Sequence, residues 1–153
     1  MDVSQKWIRL IGRLALGAIF FFSVAGKLTN WSGTVASAAS KGVPELLLAG
    51  ATGLELVGAV LLLAGFKTRW GAAALVLFLI PVTLVFHGFW AVQGAQHQQQ
   101  LVQFLKNVAI AGGLLVEFVA GPGAFSLDAR ARTAPAAAIP SDLHEASRPL
   151  GSS

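Results

Sequence analysis

Four apolar runs carry most of this chain, at residues 7–28, 43–66, 70–90 and 101–120, with short polar breaks between them. Each is about 20 residues long or slightly more, the length an α-helix needs to cross about 30 Å of hydrocarbon. The pattern predicts an all-α integral membrane domain of four helices. Trp7, Trp31, Trp70 and Trp90 stand near run ends, where an interfacial aromatic belt places them. The second break, Lys67 to Arg69, is short enough to force the second and third helices into an antiparallel hairpin. Extended along the chain, this gives an antiparallel up-down four-helix bundle. The third break, residues 93–100, is uncharged and rich in glutamine, and is expected to be a solvated or interfacial cap with a short helical turn. Pro81 lies inside the third run, where it removes a backbone hydrogen bond and is expected to kink the helix near Leu77.

Ionisable residues interrupt this pattern. A charge near the bilayer centre costs at least about 2.5–3.5 kcal/mol, so Arg13, Glu55, Lys106 and Glu117 require partners or a function. Helical spacing puts them on single stripes. Arg13, Gly17, Phe20, Val24 and Lys27 share one face of the first helix, and Gln103, Lys106, Ile110, Gly113 and Glu117 one face of the fourth. Glu45, Thr52, Glu55 and Gly58 align on the second, and Thr83, His87 and Trp90 on the third. These faces are expected to meet inside the bundle, with glycine allowing close approach.

Counting rise along each run puts Arg13 and Glu117 in the same inner half, as a structural ion pair. Glu55 falls near the midplane, with Lys106 and His87 outward of it. Lys27 and Glu45 fall near the outer surface, where their stems let the charged heads reach water. Glu55 and Lys106 have two readings. They could be a register-fixing pair, or, with His87, the wall of a pocket that binds a polar head group or relays protons.

Composition supports the membrane reading. Of the 153 residues, 55% are hydrophobic and 12% charged, whereas a soluble domain carries about 25% charged residues. The net charge of +4 does not indicate nucleic acid, because the basic residues are not grouped on one face with aromatics between them. They flank the runs instead, and positive flanks stay cytoplasmic, so both termini are expected inside. The absence of cysteine excludes disulfides, thiol nucleophiles and thiolate metal sites. Of the three histidines only His87 is near a run interior; His97 lies in the third break and His144 near the C-terminus, so a buried bis-histidine haem site is excluded. No phosphate loop, dinucleotide fingerprint or Ser–His–Asp arrangement is present. Neither a catalytic residue nor a metal site is expected. The first run is too long for a signal peptide and Arg13 interrupts it, so it is expected to be retained. The transmembrane domain is expected over residues 1–128. Residues 129–153, rich in Ala, Pro and Ser, read as a disordered cytoplasmic tail.

Several short pieces, in this order, resemble the DoxX family of small four-helix bacterial membrane proteins. They are Arg13-x-x-x-Gly17-x-x-Phe20, Gly26-Lys27-Leu28, Glu55-x-x-Gly58, Gly65, Thr68-Arg69 and His87. Lys106-Asn107, Gly112-Gly113-x-Leu115 and Gly121-x-Gly123-x-x-Ser126-Leu127-Asp128 complete the series. The resemblance spans residues 9–128 and adds Asn107 to the candidate pocket of Glu55, His87 and Lys106. It implies a multi-pass protein of the bacterial inner membrane that contacts lipid and other membrane or redox subunits, and not nucleic acid. It also implies an anchor or accessory component of a quinone-linked oxidoreductase rather than an enzyme acting alone, with no intrinsic cofactor and quinone as the ligand. A purely structural or assembly role, and a small proton or solute transporter, are the alternatives.

Overall fold

The structure, a computed structural model, describes residues 2–133. All regular structure among them is helical: α1 (Val3–Thr29), α2 (Trp31–Ala39), α3 (Glu45–Ala64), α4 (Thr68–Phe86), a 3₁₀ turn (Phe89–Ala91), α5 (Gly94–Ala120) and α6 (Leu127–Thr133). Four segments are long and apolar enough to cross a membrane: α1, α3, α4 with its 3₁₀ extension, and α5. The chain is a multi-pass membrane protein.

Local chemistry sets the helix ends. Gln5 Oε1 accepts from the Asp2 amide at 3.2 Å, satisfying a donor at the start of α1. Asn30 ends α1 and opens α2, its side chain accepting from the Gly33 amide at 3.3 Å. Gly65 stops α3 in the left-handed conformation, with φ of 65°. Lys67 is also left-handed and offers α4 no side-chain cap. Asp128 does so from across the molecule, accepting from the Lys67 amide at 3.0 Å and the Thr68 amide at 3.3 Å. A carboxylate there also faces the positive end of the α4 dipole. Pro81 sits inside α4, which runs through it as one helix. The Leu77 carbonyl thereby lacks its usual i+4 amide donor.

Helix α1 packs on α3, α3 on α4, and α4 on α5. The core is Phe20, Ala59, Leu62, Ala72, Leu75, Phe78, Leu79 and Leu114. In a bilayer, apolar surface gains little by leaving lipid, so close packing must hold the helices together. Glycine supplies it at the tightest contacts. A Cβ on Gly17 would lie 2.7 Å from the Leu63 side chain, and one on Gly58 2.7 Å from that of Leu75. Contacts such as Gly17–Leu63 and Lys27–Glu55, or Arg69–Val119 and Thr83–Asn107, rise in number on one helix as they fall on its neighbour.

Three expectations change. The first break contains α2, an additional short helix that packs on α1 and α3 at the end opposite α6. The third break is the first turns of α5, because Ala and Gln favour helix once Gly94, at φ of 62°, has turned the chain. His97 supports that turn through Nδ1, 2.9 Å from the Phe89 carbonyl. The start of the expected tail, residues 129–133, belongs to α6. The rest of it, residues 134–153, lies outside the described residues.

Candidate intramembrane binding site

The two ends of the bundle are built differently. At the end that carries α6, the inner end in the orientation expected from the sequence, the carbonyls that finish α5 are held by arginines. Arg9 Nη2 donates to Ala120 and Gly121 O, both at 2.7 Å, and Arg69 Nη2 to Val119 O at 3.4 Å. Cations at a helix C-terminus suit its negative dipole end. Gly121 and Gly123, both at φ of 74°, then turn the chain back under the bundle. Arg13 is 2% exposed there and donates to Pro122 O at 3.0 Å and Phe125 O at 2.6 Å.

The expected Arg13–Glu117 ion pair is therefore corrected. The turn after α5 brings its own carbonyls to Arg13, and no direct ion pair to Glu117 forms. Glu117 is buried and within electrostatic reach of both Arg9 and Arg13. Arg13 also lies across Gly65, where any Cβ would collide with its Nη1.

The outer half is open. Leu16 of α1 packs against Gly113 of α5, but further outward the two helices separate around a cavity of about 1250 Å³. Its wall takes Phe20, Ser23 and Lys27 from α1, Thr34 from α2, and Leu47, Gly50, Thr52 and Glu55 from α3. Helix α4 contributes Leu77, Phe78, Pro81 and Val82, and α5 contributes Lys106, Asn107 and Ile110; His87 closes the outer end. Leu47 and Leu77, 60% and 65% exposed on the bundle's outside, also line it, so the cavity is continuous with the lipid-facing surface.

All four candidate pocket residues, Glu55, His87, Lys106 and Asn107, stand on this wall. Their partners differ from those expected. Glu55, 1% exposed, is bridged by Lys27 rather than Lys106. Helix α1 ends at Thr29 and the chain folds into α2, so Lys27 sits level with Glu55 and not at the outer surface. Its ammonium also lies 5.0 Å from the centre of the Phe78 ring, a cation–π contact. Asn107 donates to Thr83 Oγ1 at 3.0 Å, and Thr83 in turn donates to Leu79 O at 2.6 Å. His87 Nδ1 is 2.9 Å from Gln100 Oε1, a hydrogen bond made by the tautomer that carries its proton on Nδ1. Glu45, expected at the interface, is exposed and accepts from Trp31 Nε1 at 3.0 Å.

Lys106 makes no hydrogen bond or ion pair among the described residues. It stands twelve residues after Gly94 and fourteen before Ala120, about 18 and 21 Å from the ends of α5. Among the same residues no three of His, Asp or Glu gather as a metal-binding group. The contribution of Lys27 was not legible from spacing, since its depth depends on where α1 stops.

The DoxX family model matches residues 8–88, which include Arg13, Lys27, Glu55 and His87. The chain belongs to the DoxX family. A second model, the SURF4 family, matches residues 51–133 of this DoxX chain. Inner membrane protein YphA of Escherichia coli is 36% identical over 129 residues, covering 83% of the DoxX chain and 92% of YphA. Inner membrane protein YqjF of the same organism is 33% identical over 119 residues, 78% of this chain and 88% of YqjF. The Surfeit locus protein 4 homolog of Schizosaccharomyces pombe is 32% identical over 77 residues, 49% of this chain and 26% of that protein. No solved structure matches.

Proposed function

We propose that this DoxX protein holds the head group of a lipophilic molecule in its outer-half cavity, as an accessory subunit of a quinone-linked redox assembly. The observation that carries the reading is the convergence of Lys27, Glu55, His87, Lys106 and Asn107 on one largely apolar cavity open to lipid. Ligand pockets commonly have volumes of about 300–1,000 Å³, apolar walls and a few placed polar groups. A volume of about 1250 Å³ accommodates a ring-sized head and part of its chain. A quinone carbonyl would accept from the ammonium of Lys106. The redox chemistry would belong to the quinone and a partner subunit.

The alternating contacts between neighbouring helices support an antiparallel bundle. Arginines and lysines at the end bearing α6 support both termini being cytoplasmic, and likeness to YphA and YqjF supports residence in a bacterial inner membrane. Extraction from native membranes into lipid discs, with mass spectrometry of what accompanies the protein, tests the proposal. A bound quinone and a redox partner are expected; the chain alone with no lipophilic ligand overturns it.

One observation favours a second, structural reading. The Lys27–Glu55 pair ties α1 to α3, and that alone would account for both charges.

A further inference from the structure

The charges on the cavity wall do not balance. Four titratable side chains line it: Lys27, Glu55, His87 and Lys106. Glu55 is 1% exposed and its charge is taken up by Lys27, whose side chain retains 24% exposure at the cavity and so stands between Glu55 and the open space. His87, hydrogen-bonded to Gln100, contributes no negative charge in either tautomer. Lys106 is left as a surplus cation near the middle of α5, with no partner among the described residues. Lys106 stands five positions into the apolar run that opens at Leu101, about 8 Å from the solvated break, and lines the cavity. A cation there with no partner among the described residues is available to a counter-charge brought in by the ligand.

We infer, resting on the reading of the cavity as a ligand site, that it also takes, in the place of a quinone, a lipophilic acid: an anionic oxygen head, carboxylate or phosphate, on an apolar chain. The head is held by Lys106. An ammonium pairs with such oxygens without demanding a fixed geometry. Nothing on the wall offers the head a competing negative charge except Glu55, which is already neutralised. The chain of the ligand lies along Leu47, Leu77 and Pro81, where the cavity meets lipid.

The test uses the full chain in discs of zwitterionic lipid. It compares binding of a long-chain carboxylic acid, its alcohol, its methyl ester, phosphatidic acid and a neutral quinone analogue. The acid is expected to bind about tenfold tighter than its alcohol and ester, the difference between a charged and a neutral hydrogen bond. Lys106→Gln should bring the acid down to the alcohol's affinity, and Lys106→Arg should keep the preference. The relative strength of phosphatidic acid tells whether a resident phospholipid or a free acid is the source, and tight binding of either supports the inference. An acid that binds no better than its alcohol, or a neutral quinone that outcompetes both anions, overturns the acid inference while leaving the cavity as a ligand site. No binding by any probe overturns both.

Discussion

At the residue scale the decisive contact is Lys27 with Glu55. Two charges withdrawn from water into a bundle cost more than an apolar pair would, and either one alone costs more still. Glu55→Gln strands Lys27, and Lys27→Met strands a carboxylate that is 1% exposed. The second is expected to destabilise more, by about 3 kcal/mol or somewhat less given the exposure of Lys27. The double change Lys27→Met with Glu55→Leu should recover most of that loss. Thermal unfolding of the three variants in detergent measures it; additive losses would show that the pair is not coupled. Gly65 is the other sensitive position. It combines a left-handed φ of 65° with the passage of Arg13 over its Cα, so Gly65→Ala is expected to lower stability by more than the roughly 1 kcal/mol that conformation alone costs. Equal melting of Gly65→Ala and the parent protein would contradict that placement of Arg13.

Among the elements, α4 depends on a residue sixty positions away in the chain. Asp128 caps its first amides, at Lys67 and Thr68. Asp128→Ala should cost about 1 kcal/mol, which corresponds to about fivefold faster hydrogen exchange at those amides. Exchange unchanged there would mean that α6 does not hold α4. This long-range cap also marks what could and could not be read in advance. The four spans were legible, because membrane-length apolar runs leave few alternatives. The stripe of the first span was legible too, with Arg13, Gly17, Phe20 and Val24 all buried; that of the third was not, because α4 stops at Phe86 and leaves His87 and Trp90 off the helix. Glu55, His87, Lys106 and Asn107 do share one cavity. Helix α2 was not, since a nine-residue helix of Ala, Ser and Gly has no apolar run to announce it. Without α2, the sequence assigns the end of α1 to the membrane surface rather than to the level of Glu55, and with it Lys27. Nothing in the sequence after the fourth span shows that the Gly121–Gly123 turn brings its carbonyls back to Arg13.

At the scale of the whole molecule, one end is closed and the other is hollow. The inner half is fastened by arginine-to-carbonyl bonds, the α6 cap and glycine-mediated contacts. The outer half is spread around the cavity. If the hollow is where the protein acts, filling it should abolish binding without unfolding the closed half. Gly50 offers that experiment. It lies on the cavity wall in α3, and a Cβ there meets nothing within 4 Å. Gly50→Phe therefore has room, and replacing a mid-helix glycine does not oppose the helix. Gly112 in α5 is equally open but is not part of the wall, which makes Gly112→Phe the matched control. Melting temperatures of both variants should stay close to that of the parent. Uptake of a lipophilic probe should fall severalfold in Gly50→Phe and remain unchanged in Gly112→Phe. Were the two variants to bind alike, the cavity would be a packing defect between splayed helices, and the Lys27–Glu55 pair would be sufficient reason for its charges.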